Sequence, residues 1–131
     1  AELSFHATSS GLAVLAFSEP TFVDVVLART LRSFTNKTIT DPDHIRQTLA
    51  ITRQTGIAES IGGFEKDVHS HAIPVFGPNM RPIGALAVAA PVSRMTGRTR
   101  AQIQRNILDQ SLLLTQKTGG FCPPDFPISQ A

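Results

Sequence analysis

Several residue types that support common protein functions are rare or absent in this chain. Its 131 residues include one cysteine, Cys122, and neither tryptophan nor tyrosine. A single cysteine excludes an internal disulfide, so we expect a reducing, cytoplasmic setting. The lack of tryptophan and tyrosine argues against a surface on which nucleic-acid bases stack.

Long hydrophobic runs are also lacking. The two longest, residues 11–17 and 83–92, are about half the length that a membrane-spanning helix needs. The first residues show no charged segment followed by an apolar one, which is the pattern of a signal peptide. The sequence therefore predicts neither a membrane span nor secretion.

Charge is modest and several well-known motifs are missing. The formal net charge is +2, and only the stretch from Arg94 to Arg105 is dense in arginine. A solvated helix start explains that stretch better than a nucleic-acid surface does. The chain has no GxGxxG, no Walker motif and no GxSxG elbow, so the usual signs of a nucleotide-binding fold or a serine hydrolase are absent.

The residues that could carry chemistry do not cluster in the sequence. Cys122 lies in a proline-rich segment, where no activating environment for a nucleophile is evident. His69 and His71 would share one face of a strand, but further ligands at metal-binding spacing are missing, so we expect surface or partly buried polar side chains. Glu59 is expected to be a solvated loop carboxylate. The sequence predicts no metal, no cofactor and no enzymatic activity.

The pattern of secondary-structure signals predicts an α+β fold. A short strand end is expected at residues 3–7, followed by helices over 12–17, after Pro20 and from Pro42 to a stop at Gly56. Strands are expected at 57–60, 68–76 and 83–90, with a long amphipathic helix over about 99–117. Helices around a late antiparallel meander favour α+β over a doubly wound parallel sheet.

The predicted hairpin has one face of small residues. If residues 77–80 form the loop, Ser70 lies opposite Ala87 and Ala72 opposite Ala85, while His69 and His71 lie on the other face. Small side chains leave volume above the sheet. A closely packed helix or a ligand cavity could occupy that volume, and the sequence leaves both explanations open.

A second feature lies where the first strand end is expected to become a helix. Ser9, Ser10 and Gly11 occupy this position. The free amides and the dipole of a helix start favour an anion, and small side chains let a ligand approach the backbone closely. Plain N-capping by Ser9 or Ser10 is the alternative.

Several short segments of the chain form a recognisable series: 6–16 (HATSSGLAVLA), 38–42 (TITDP), 56–58, 64–65, 68–70, 72–76 and 85–88. Their order and spacing resemble the effector-binding domain of the isocitrate lyase regulator (IclR) family of bacterial transcription regulators. The resemblance runs without an obvious gap over roughly residues 4–119.

This resemblance implies an architecture. The expected fold is a curved, GAF-like antiparallel sheet flanked by helices, without the N-terminal strands of the family's domain. Residues 1–120 would form an effector-binding domain that is incomplete at its N-terminus. Residues 121–131, which include three prolines, would form a C-terminal tail. DNA would be bound only through a winged helix-turn-helix that this chain lacks, in a homodimer or tetramer.

The resemblance also implies a ligand site for a small organic acid. In the family, the pocket uses backbone amides at the positions of Ser9 and Ser10, beside Gly11. It also uses side chains at the positions of Ser60, Ser70 and Ala87.

This chain departs from the family pattern at several of these positions. Leu12 and His69 replace a common lysine and a common arginine, Ile61 replaces an aspartate, and Ala87 lacks a hydroxyl that some members have. Fewer polar donors favour a ligand with a larger apolar body, such as an aromatic acid. The alternative function is a GAF-like or PAS-like input domain of another signalling protein.

Overall fold

A computed structural model describes residues 4–127 of the chain. The described part contains four helices and three strands, which confirms the predicted α+β class. In chain order these are α1 (Ser9–Ala16), α2 (Pro20–Leu27), α3 (Pro42–Thr55), β1 (Ala58–Ile61), β2 (Val68–Phe76), β3 (Pro82–Pro91) and α4 (Gly97–Lys117), with a 3₁₀ turn at Val92–Arg94 before α4.

The three strands form one antiparallel sheet in the order β1-β2-β3, with a helix on each face. The Ser60 hydroxyl donates a hydrogen bond of 2.9 Å to the carbonyl of Ala7, just before α1. Its neighbour Glu59 accepts one of 3.0 Å from Gln104 of α4. Because consecutive residues of a strand point to opposite faces, α1 covers the face of Ser60 and α4 covers the face of Glu59.

Helix α3 begins and ends where the sequence predicts. The Asp41 carboxylate accepts a hydrogen bond of 3.3 Å from the amide of Asp43, and Pro42 is the first helical residue. Gly56 ends the helix with φ of 80°, a conformation that favours glycine.

The start of α1 differs from the prediction. Thr8, and neither Ser9 nor Ser10, is the N-cap residue, and its hydroxyl accepts a hydrogen bond of 3.0 Å from the amide of Gly11. The residues before it form a turn rather than a strand end, with the amides of Ala7 and Thr8 both bonded to the carbonyl of Ser4.

The predicted hairpin register is wrong by two residues. Ser70 pairs with Ala89 rather than Ala87, and Ala72 pairs with Ala87. The loop is one residue longer than expected, because Phe76 pairs with Pro82, and the register shift between Val75 and Phe76 adds one more residue. A shift of two keeps every side chain on its predicted face, since the period of a strand is two. The face of small residues and the face of histidines are therefore as expected.

The segment after α4 packs against the domain. Phe126 is buried and lies edge-on to the rings of Phe17 and Phe76, with centroids 5.4 and 5.2 Å away. The carboxylate of Asp125 pairs with Arg53 of α3 at 2.8 Å. Phe126 of the expected tail thus belongs to the hydrophobic core.

Candidate functional site

The first turn of α1 carries backbone amides without helical partners. The first hydrogen bond along this helix runs from the amide of Leu12 to the carbonyl of Thr8. The amide of Gly11 is bonded to the Thr8 hydroxyl. The amides of Ser9 and Ser10 come before Gly11 and Leu12. As the first amides of the helix, they have no carbonyl within the helix to bond to and can donate to other partners.

Gly11 has a structural reason to lack a side chain. A Cβ atom at this position would lie 2.5 Å from the Cα of Phe5 and 2.9 Å from its carbonyl oxygen. The turn before the helix therefore passes directly against Gly11. This close backbone contact accounts for the glycine independently of any ligand.

A cleft of about 370 Å³ lies between α1 and the start of β3. Its volume is within the range of small-molecule sites. Ser10 and Gly11 of α1 line it, and Gly84 and Ala85 of β3 form the opposite wall.

A second cavity of about 250 Å³ lies on the other side of the α1 start. Ser60 and Lys37 are among its lining residues, together with His6. The structure thus divides the predicted site residues, with Ser10 and Gly11 at one cavity and Ser60 at another. The hydroxyl of Ser60 is already bonded to the carbonyl of Ala7.

Ser70 and Ala87 lie on the α1 face of the sheet but line neither of these two cavities. Ser70 is the direct neighbour of Ser60 across β1 and β2, and it is half-buried. Ala87 is exposed and lies two residues beyond Ala85 on the same face. The small-residue face therefore continues from the α1–β3 cleft towards both positions.

The opposite face of the sheet contains a cluster that the sequence does not predict. The Nε2 atom of His69 lies 2.9 Å from a carboxylate oxygen of Glu59 and 3.0 Å from Nε2 of His71. Both histidines are buried, so the prediction of surface or partly buried side chains is wrong. Glu59 is also not a loop residue, since it lies in β1 directly opposite His71.

The cluster shifts the proton equilibria of its members. Burial alone would raise the pKa of Glu59, but hydrogen bonds from Arg100 and His69, together with electrostatic attraction from Arg100 and His71, outweigh this effect and lower it. Burial lowers the pKa of His71, and the nearby Glu59 carboxylate opposes this only in part. At neutral pH, Glu59 is therefore ionised and His71 is a neutral imidazole.

The pairing of β1 with β2 brings this cluster together. His69 and His71 are recognisable in the sequence from their spacing, but Glu59 lies ten residues earlier, beyond a turn. Only an antiparallel pairing of residues 58–61 with 69–72 in this register would reveal the third member. Strand propensity does not specify that register.

Within residues 4–127, no helix combines the length and the hydrophobicity needed to cross a membrane.

Comparison with known proteins identifies relatives over most of the chain. The family described as the C-terminal part of the bacterial transcriptional regulator IclR matches residues 1–114. The transcriptional repressor IclR of Escherichia coli K12 is 25% identical over 120 residues, which cover 91% of this chain and 44% of that protein.

Solved structures show the same fold. A protein from Silicibacter sp. TM1040, described as a candidate IclR transcriptional regulator, is 57% identical with a TM-score of 0.93, over 95% of this chain and 49% of that one. An IclR homolog from Microbacterium hydrocarbonoxydans, complexed with 4-hydroxybenzoate, is 26% identical with a TM-score of 0.76, over 91% of this chain and 47% of that one.

The chain spans about half the length of these relatives. The family match covers far more than half of its residues, and the fold agrees with that of the solved structures. The chain therefore belongs to the IclR family of bacterial transcriptional regulators and carries residues of their C-terminal domain.

Proposed function

We propose that this chain is the sensing part of an IclR-type regulator and binds a small organic acid with an aromatic body. The bound acid would control DNA binding by a winged helix-turn-helix outside this chain, in a cytoplasmic homodimer or tetramer. The observation that carries the proposal is the α1–β3 cleft, where helix amides meet a wall of small residues.

The start of α1 can meet the carboxylate of such a ligand. Ser10 lines the cleft, and we propose that its amide and that of the buried Ser9 donate to the carboxylate, where the positive end of the helix dipole also favours a negative charge. Hydrogen bonds to a charged group contribute on the order of 1.5–3 kcal/mol each. Two such bonds and some apolar burial support roughly micromolar affinity after the entropy of binding is subtracted.

The β3 wall suits the apolar body of the acid. Ala85 leaves space where a larger side chain would fill the cleft, and Val14 and Phe5 line it from the helix side. From Ala85, the same face continues to the exposed Ala87. The homolog complexed with 4-hydroxybenzoate holds a ligand of this chemical class, an acid on an aromatic ring.

A sensor is favoured over an enzyme by the chemistry at the cleft. Among residues 4–127, those that line it are small, apolar or hydroxyl-bearing and include no acid, histidine or cysteine. Burial raises the pKa of the Cys122 thiol, which disfavours the nucleophilic thiolate.

The proposal predicts how alanine-to-phenylalanine substitutions affect acid binding. Ala85→Phe should weaken binding of 4-hydroxybenzoate or the best related acid by at least roughly ten-fold, because the ring would occupy the part of the cleft that Ala85 lines. Calorimetry on the purified protein against a panel of aromatic and aliphatic acids measures this effect. Ala101→Phe, on the exposed surface of α4, is the matched control and should leave binding unchanged.

One further variant tests the location of the acid. Lys37→Gln removes a cation that lines the second cavity but not the α1–β3 cleft. Unchanged binding is expected if the acid occupies the cleft. Loss of binding in Lys37→Gln, with full binding in Ala85→Phe, would contradict the proposed location.

A further inference from the structure

We propose that Glu59, His69 and His71 form a binding site for a divalent first-row transition-metal ion such as Zn²⁺. The site lies between the sheet and α4, on the opposite face from the α1–β3 cleft. It is independent of the proposed acid site and uses none of its residues.

The distances among the three side chains fit one bound ion. One Glu59 carboxylate oxygen lies 2.9 Å from Nε2 of His69 and 3.5 Å from Nε2 of His71, and the two nitrogens are 3.0 Å apart. Ligands held at 2.0–2.1 Å around a tetrahedral ion are about 3.3 Å from one another. An ion just outside the plane of these atoms therefore reaches all three with shifts of a few tenths of an ångström.

The ligand set is one that such ions prefer. Imidazole nitrogen suits zinc, nickel, copper and iron, whereas magnesium and calcium prefer sites made of oxygen. Two histidines and one glutamate also leave a coordination position open, as in zinc sites with three protein ligands. The two buried histidines make the cluster different from an exposed group of carboxylates.

Two residues of α4 hold the glutamate in place. Arg100 and Gln104 both donate to the carboxylate oxygen of Glu59 that faces away from the histidines. The other oxygen is left directed at His69 and His71. Such outer hydrogen bonds orient a ligand for its metal, although the positive charge of Arg100 reduces the attraction for a cation.

Hydrogen bonding leaves the cluster only partly satisfied. The Nδ1 atom of the fully buried His71 has no hydrogen-bond partner in the described part of the chain. Its Nε2 atom faces the Nε2 atom of His69, and both approach the same carboxylate oxygen. A single cation could accept a lone pair from Nε2 of each histidine and from the Glu59 oxygen. It would stabilise this arrangement better than protons shared among the same three atoms.

One ligand of the proposed site reaches the surface, whereas the two histidines are buried. A groove of about 320 Å³ runs between α3 and α4, and Glu59, Arg100 and Gln104 form part of its lining. An ion could enter through this groove, and water or another small ligand could fill the open position. A bound ion would then cross-link β1 and β2 on the face of the sheet that α4 covers.

The test is metal binding by the chelator-treated chain. We expect Zn²⁺ to bind with one-to-one stoichiometry by calorimetry and Co²⁺ to give visible absorption bands typical of nitrogen and oxygen ligands. Mg²⁺ should not compete. Zn²⁺ should also raise the unfolding temperature, because binding to the folded state stabilises it.

Variants assign the binding to the cluster. Glu59→Gln and His69→Gln should each weaken Zn²⁺ binding by more than roughly ten-fold. His44→Gln, at an exposed position of α3, is the matched control and should bind like the unchanged chain. Circular dichroism establishes that each variant is folded, and His71 is left intact because its side chain is fully buried.

Two results would overturn the proposal. One is the absence of saturable Zn²⁺ binding to the unchanged folded chain in the micromolar range, which would show that protons alone satisfy the cluster. The other is Zn²⁺ binding that persists in folded Glu59→Gln and His69→Gln, which would place the ion elsewhere.

Discussion

Single residues of this chain often have structural roles that their sequence context does not reveal. Gly11 follows two serines at a helix start, which suggests close approach of a ligand to the backbone. In the structure it is the backbone of Phe5 that lies against Gly11. A contact between neighbouring turns therefore accounts for a residue that also lines the proposed ligand cleft.

This contact predicts that Gly11→Ala destabilises the fold. The added methyl group would lie 2.5 Å from the Cα of Phe5, so the turn or the helix must shift. Overpacking of this kind costs about 1–3 kcal/mol of unfolding free energy. Urea denaturation of the variant and the unchanged chain measures the difference.

Gly84→Ala provides the matched control for this change. A Cβ atom at Gly84 meets nothing within 4 Å, so stability should be unchanged or slightly increased. Equal stability of Gly11→Ala and the unchanged chain would show that the turn before α1 adapts without cost.

At the scale of secondary-structure elements, local signals determine where elements begin and end. Helix α3 is the clearest example, since an aspartate, a proline and a glycine mark its two ends. The hairpin shows the limit of such signals. The loop between β2 and β3 and the irregularity beside Val75 depend on how the two strands twist together, which turn residues alone do not specify.

The α3 cap predicts that Asp41→Ala lowers stability. The carboxylate of Asp41 satisfies an amide at the first turn, and loss of such a cap typically costs about 1 kcal/mol. Thermal or urea unfolding should detect this loss. Asp109→Ala, at an exposed position within α4, makes the same chemical change away from a helix cap and should have a smaller effect. Equal effects in the two variants would argue against a capping role.

At the scale of the whole molecule, the sheet separates two chemical environments. The face covered by α1 has small residues and helix amides, whereas the face covered by α4 holds a partly buried glutamate and two buried histidines. The strands alternate between these environments residue by residue. The acid site and the metal site that we propose can therefore be tested separately, because no side chain contributes to both.

The family match predicts that this chain does not recognise an operator. Its residues 1–114 match the C-terminal part of IclR regulators, and its net charge of +2 provides little attraction for phosphates. Gel-shift assays at physiological salt should show no sequence-specific complex between the 131-residue chain and promoter DNA. A specific complex of nanomolar affinity would contradict this assignment of DNA binding to another part of the regulator.

The sequence by itself determined the class of fold, the family and the faces of the strands. Residue periodicity, helix caps and the order of short segments are local properties, and a register error of two residues leaves the strand faces unchanged. Only the tertiary structure decided which residues meet across the sheet. Glu59 joins His69 and His71 because β1 pairs with β2 in one register. Ser10 and Ser60 line different cavities because the start of α1 lies between those cavities. Such contacts depend on the packing of distant segments, and local sequence carries no signal for that packing.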